Sequence, residues 1–174
     1  MVQNYYLVQD DTRVSHKIYP AHFTNLKLPF EKMPPVQICE VHTAPSSEYV
    51  DWMLQPTMLV SDRLKRILEK YNLYVRFKSI YLIDKINDRQ SLYWFSKIPR
   101  IEGLSELTEF NPHDQSIKKL VLDRGKVKGN HIFKIKGIRE SYCMISEDVA
   151  ESLLRRGING FVLTKVALDE LGVC

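Results

Sequence analysis

The chain has no long hydrophobic run. Nothing in it approaches the roughly 20 consecutive apolar residues that a membrane-crossing helix needs. Its opening, Met1-Val2-Gln3-Asn4-Tyr5-Tyr6, has no basic segment followed by an apolar stretch, so no secretory leader is expected. Cysteine is scarce. Cys39, Cys143 and Cys174 are odd in number, widely spaced and without a C-x-x-C pair. That argues against a disulfide framework and for reduced thiols in the cytoplasm, where they serve as small apolar side chains. One-sided charge is weak too: a net +4 permits an acidic partner without demanding nucleic acid. Seven Gly and eight Pro are ordinary counts.

Several chemical motifs are missing as well. Neither G-x-x-x-x-G-K-[ST] nor G-x-G-x-x-G occurs, so no phosphate cradle is recognisable. No G-x-S-x-G marks a nucleophile elbow. Among His16, His22, His42, His113 and His131, no pair has the H-x-x-x-H spacing that puts two ligands on one helical face. His113-Asp114 is the sole histidine beside a carboxylate and falls in a predicted loop. The adjacent carboxylates Asp10-Asp11 and Glu147-Asp148 have structural explanations, a turn and the first turn of a helix. No cofactor, metal or catalytic residue is expected.

What is present is ample core material. The apolar fraction is 44%, with nine Tyr, seven Phe and two Trp, which rules out a disordered chain. At 174 residues one domain over 1–174 is expected. Within it, residues 1–57 hold N-terminal strands and Pro-rich loops, 58–100 a strand–helix–strand unit with a hairpin, and 116–174 a second such unit. Strands are predicted over 3–8, 36–41, 58–60, 75–83, 92–95, 117–122, 130–136, 144–145 and 160–163 from their β-branched and aromatic content. Glu48 to Leu54 reads as one helical turn, and Leu104 to Leu107 as another. Val166 to Leu171 reads as a closing helix.

The clearest local signal follows Met58-Leu59-Val60. Ser61 is a good N-cap, Asp62 favours the helix dipole, and Leu64, Ile67, Leu68 and Tyr71 form one apolar stripe. Asn72 is the expected left-handed stop. The plan recurs 85 residues on, with Ser146 for Ser61, Glu147 for Asp62, Val149 for Leu64, Leu153 for Leu68 and Gly157 for Asn72. Both serines therefore read as caps. The expected class is α+β, an antiparallel or mixed sheet with helices packed mainly on one face and the strand–Ser–helix–strand unit used twice.

Between the copies lies a basic stretch. Lys118, Lys119, Arg124, Lys126, Lys128, Lys134, Lys136 and Arg139 stand against Asp123. Three readings stay open: a solvated strand face, a patch for an acidic protein, or a nucleic-acid surface helped by Tyr81, Tyr93 and Trp94. The RNP-type aromatic signature is missing, which makes nucleic acid the weaker alternative. Gly125-Lys126-Val127-Lys128-Gly129 is expected to be a lysine-bearing turn.

Met58 to Leu68, Ile117 to Asp123 leading into His131 to Gly137, and Met144-Ile145-Ser146-Glu147 followed by Gly157 to Phe161 are similar in order and spacing to a bacterial immunity-protein family of polymorphic toxin systems, types 11 and 43. Tyr5-Tyr6-Leu7 and Tyr49-Val50-Asp51-Trp52 fit the same family. The resemblance implies a cytoplasmic inhibitor, not an enzyme, that binds and neutralises a cognate protein toxin by stoichiometric occlusion. It transfers no catalytic residues. Trp52, Lys126 and Lys128 are the expected toxin contacts, an acidic toxin surface is the expected complement, and no membrane is involved. Sequence says nothing of the oligomeric state.

Overall fold

The structure is a computed structural model that describes residues 3–21 and 28–169. His22 and Cys174 lie outside that range. The chain is sheet-rich α+β, with three short α-helices among many strands. It divides into two compact units. The first takes Met1–Gln9, Ile98–Arg155 and Leu163–Cys174; the second takes Asp10–Lys97 and Arg156–Val162.

In chain order the strands are β1 (Tyr5–Asp10), β2 (Tyr19–Pro20), β3 (Val36–His42), β4 (Trp52–Met53), β5 (Leu59–Ser61), β6 (Arg76–Asp84), β7 (Arg89–Lys97) and β8 (Arg100–Ile101). Then come β9 (Glu109–Phe110), β10 (Ile117–Lys119), β11 (Val121–Asp123), β12 (Ile132–Ile135), β13 (Cys143–Ser146), β14 (Phe161–Lys165) and β15 (Ala167–Asp169). The helices are α1 (Asp62–Tyr71), α2 (Arg124–Val127) and α3 (Glu147–Arg155).

The second unit is built on a six-stranded mixed sheet ordered β2-β3-β6-β7-β5-β4. Only β3 and β6 run parallel; the other neighbours are antiparallel. Its backbone is the β6–β7 hairpin, nine residues on each side. Ile80 and Leu82 alternate inward on β6, as Tyr93 and Phe95 do on β7, and they meet Ile18, Val50, Met53 and Leu59 in one core. Each such side chain contributes about 1.5–3 kcal/mol on burial. Asp84 closes the hairpin. Its buried carboxylate accepts the N–H groups of Ile86 (3.1 Å) and Asn87 (3.0 Å), the Tyr49 hydroxyl (2.5 Å) and the Thr43 hydroxyl (2.8 Å).

α1 follows β5 without a break. Leu64, Ile67 and Leu68 are its buried stripe, and the Ser61 hydroxyl accepts from the Leu64 N–H at 3.2 Å. Asp62–Arg66 and Lys65–Glu69 pair at i,i+4 along its flank, where Lys65 lies over the Trp94 ring. The stop differs from expectation. Asn72 is extended (φ −153°, ψ 107°), and its side chain accepts the Tyr74 N–H at 2.9 Å instead of adopting a left-handed turn.

The first unit carries a five-stranded sheet ordered β14-β1-β13-β12-β8, with smaller pairs β9–β10 and β11–β15. β1 and β12 flank β13 antiparallel, and β8 lies parallel to β12. Tyr5, Leu7, Leu122, Val127, Phe133, Ile135, Met144 and Val166 form its core.

Two expected helical segments are strands. Within the predicted turn Glu48 to Leu54, Trp52 and Met53 pair antiparallel with Val60 and Leu59, both side chains fully buried. Within the predicted helix Val166 to Leu171, Ala167, Leu168 and Asp169 pair parallel with Val121, Leu122 and Asp123; residues 170–171 lie outside the described range. In each case strand pairing outweighs a short helical pattern, with a nearby strand for β4 and a distant one for β15. Leu104 to Leu107 is likewise not helical: Leu104 bridges Leu122.

Candidate binding surface

Both serines singled out in the sequence have structural partners. Ser61 Oγ donates to Asp51 Oδ1 at 2.6 Å while it caps α1. Asp51 also takes Arg63 Nη2 at 3.2 Å and the Asn159 N–H at 3.3 Å, so this cluster ties the start of α1 to the loop after α3.

The second serine has a partner that sequence did not reveal. The β12–β13 register opposes Ile132 to Ile145, and one step further His131 Nδ1 lies 2.9 Å from Ser146 Oγ. Asp148 Oδ2 is 3.8 Å from the same nitrogen. The residue types are those of a catalytic triad, but the geometry is not. A triad places the base between nucleophile and acid through opposite ring nitrogens, whereas here both meet Nδ1. Ser146 is also fully buried, beyond reach of a substrate. The signal that could have found this pair is register: fifteen residues separate the two, and only strand pairing brings them together.

The carboxylate pairs are similarly occupied. Asp10 takes Lys17 Nζ at 2.7 Å, and Arg13 hydrogen-bonds Asp11, holding it down to about 2. Glu147 accepts Asn4 Nδ2, and Asp148 accepts Gln3 Nε2. Burial pushes the Cys143 thiol up to about 12, with Lys134 working the other way, so it stays protonated at neutral pH. Cys39 is half-buried against the second unit's core, its Sγ 3.2 Å from the Glu40 carbonyl. Among the described residues no group of three or more His, Cys, Asp or Glu is placed to hold a metal ion. His16 and His42 line a shallow cleft of about 390 Å³ with Lys17, Tyr19 and Thr43.

The basic stretch folds into a partly neutralised surface of the first unit. Lys118 pairs with Glu109 (3.3 Å), Lys126 with Asp123 (3.4 Å) and Lys136 with Glu102 (3.0 Å). Arg139 donates to the Asp114 carbonyl at 2.6 Å. Lys134 is half-buried, its ammonium pushed below the usual lysine range by desolvation with help from Arg100, and it donates to Ser141 Oγ at 2.8 Å. Exposed ion pairs of this kind contribute little stability, and they offset part of the field that a polyanion would feel.

Of the three expected contact residues, Lys126 and Lys128 belong to the first unit and Trp52 to the second. Lys126 and Lys128 are exposed at α2, a single helical turn at the place of the expected lysine-bearing turn. Asp123 caps that turn by accepting the Lys126 N–H, and Val127 between the two lysines is fully buried, its carbonyl accepting the Tyr5 hydroxyl at 2.8 Å. The backbone under the lysines is therefore fixed. Among the described residues Lys128 has no ion pair. Trp52 belongs to the second unit and is fully buried, its ring edge-on to Phe161 at 5.6 Å. It offers no surface to a partner in this conformation.

Elsewhere the second unit exposes large apolar side chains: Ile38 on β3, and Leu73 and Tyr74 in the turn after α1. Sequence reading passed over them because a lone apolar residue in a loop looks unremarkable until its exposure is known.

No helix among the described residues is long and apolar enough to cross a membrane. A search of curated proteins finds no match. The immunity protein family (Imm11) matches residues 3–168, which spans both units and includes every segment that suggested an immunity protein. The chain belongs to the Imm11 immunity protein family.

Proposed function

We propose that the chain is a cytoplasmic toxin-neutralising protein that binds one cognate toxin and holds it inactive by occlusion, without chemistry of its own. The observation that carries this reading is family membership over nearly the whole chain. The engaged state of Ser61, Ser146 and the carboxylate pairs supports it, since each already has a structural partner. The partial pairing of the basic stretch favours a protein partner over nucleic acid, because Lys118, Lys126 and Lys136 each have a carboxylate at hand. Lys126 and Lys128 would act at the rim of the contact, steering an acidic toxin surface. Trp52 would act only through the strand it fixes.

The two strand–Ser–helix–strand segments are best understood as one scaffold used twice. β4-β5-β7-β6 and β12-β13-β1-β14 have the same neighbour order, and in both the first pair and the second pair are antiparallel. In the first unit β1 takes the place that β7 holds in the second. Such scaffolding leaves loops and strand faces to vary with the partner.

Co-expression with the toxin encoded beside the gene tests the function. The expected outcome is restored growth and a one-to-one complex on gel filtration. Growth arrest despite abundant folded protein would refute neutralisation.

A further inference from the structure

Leu73 and Tyr74 are adjacent, large and apolar, yet 89% and 82% exposed, more than any other large hydrophobic residue described. Scattered exposed leucines need no explanation, but two neighbours held out together from an ordered turn do. The turn is stiff. The Asn72 N–H donates to the Leu68 carbonyl at 3.1 Å, Asn72 Oδ1 accepts the Tyr74 N–H at 2.9 Å, and the next residue, Val75, is buried. A partner that grips these side chains therefore has no backbone to order, which preserves affinity.

Charge brackets the pair. From Asp62 to Lys78 six cations (Arg63, Lys65, Arg66, Lys70, Arg76 and Lys78) face two carboxylates, Asp62 and Glu69. Lys70, one helical turn before Leu73, is exposed and has no ion pair among the described residues. On the other side Arg76 and Lys97, directly opposed on β6 and β7, share the single carboxylate of Glu31. One positive charge is left over there. The apolar pair thus sits between two surplus cations, an arrangement that fits an apolar pocket bordered by carboxylates.

We propose that the Leu73–Tyr74 turn is the anchor by which the chain takes hold of its toxin, and that the toxin presents an apolar pocket rimmed by acidic side chains. This rests on the toxin-binding reading above. Tyr supplies large contact area at low rotamer cost and recurs among residues that dominate interface energetics, while the flanking cations speed encounter.

The test uses the full chain and a catalytically silenced form of the toxin encoded beside its gene. Leu73→Ser with Tyr74→Ser is expected to weaken binding at least about 30-fold and abolish growth protection. The melting temperature should hold, because neither side chain is buried. Lys70→Glu with Arg76→Glu is expected to slow association at low salt by about tenfold. Ile38→Ser, at another exposed apolar site, should leave both readouts unchanged. Wild-type binding by the Leu73/Tyr74 double variant overturns the anchor while leaving neutralisation intact. Failure of the wild-type chain to bind the toxin overturns neutralisation, and the anchor with it. If the unmodified chain is a dimer that the double variant dissociates, the turn meets a second copy and the assignment is wrong.

Discussion

At Gly160 a backbone constraint and a packing constraint coincide. Its φ is +95°, and a Cβ there would lie 2.6 Å from the Trp52 carbonyl oxygen and 2.7 Å from Val50 Cβ. The obstructing atoms belong to backbone and to a buried branched side chain, so neither can give way cheaply. Gly160→Ala should cost at least about 2 kcal/mol, seen as a lower urea midpoint at unchanged slope. Gly129 is the internal control. It also has a positive φ, +78°, but open space around the missing Cβ, so Gly129→Ala should cost only about 1 kcal/mol. Equal effects would mean that the close approach to Trp52 is not felt. The same neighbourhood clarifies the tryptophan: Trp52 is a core residue whose strand the glycine lets pass.

Among elements, α1 was the most legible. Its cap, its acidic first turn and its apolar stripe are all local features, and local features are what a single sequence displays. Ser61→Ala should destabilise the chain by about 1 kcal/mol in urea unfolding. It removes the acceptor for the Leu64 N–H and the 2.6 Å donor to Asp51, so an unchanged midpoint would show that the cap carries no weight. The β6–β7 hairpin was equally readable, from two runs rich in β-branched and aromatic residues. β4 and β15 were not. Both are two or three residues long and exist only because Leu59–Val60 and Val121–Asp123 are there to pair with them. The His131–Ser146 contact was illegible for the same reason, since it depends on register between strands and not on spacing along one. The exposure of Leu73 and Tyr74 was hidden too. Burial is a property of the folded chain, and a Leu-Tyr pair after a helix reads equally well as core.

For the whole molecule, acid is the informative perturbant. Hydrogen bonds from Arg13 hold Asp11 down to about 2 from an ordinary 3.8, and Lys97 and Arg76 hold Glu31 down to about 2 from 4.5. At Asp84 burial acts to raise the carboxyl, but donors from Tyr49, Asn87 and Thr43 outweigh it and leave it well below the carboxylate range. Folded-state values below the unfolded ones mean that the unfolded chain takes up protons first. The stability they confer is complete above about pH 4.5 and is lost as pH falls toward 2 and below. Thermal melts should show that decline. Added salt should blunt the part due to the exposed Asp11 and Glu31 pairs, and Asp84→Asn should lower the neutral melting temperature while flattening the acid limb. An acid limb as steep in Asp84→Asn as in the wild type would remove Asp84 from the account. The division into two units was beyond sequence reading, because the first is assembled from three separate stretches of chain.

That assembly has a consequence for synthesis. β1 leaves the ribosome well before its neighbours β13 and β14, and Asn4 waits 143 residues for Glu147. Tyr5, Leu7 and Val8, all buried in the finished protein, have no sheet to join in the meantime. The second unit is nearly complete once Lys97 has emerged, lacking only Arg156–Val162. The nascent chain therefore carries β1 as an unmatched, apolar, β-prone segment until β13 and β14 emerge. Chaperone demand and aggregation risk concentrate at β1 during that interval.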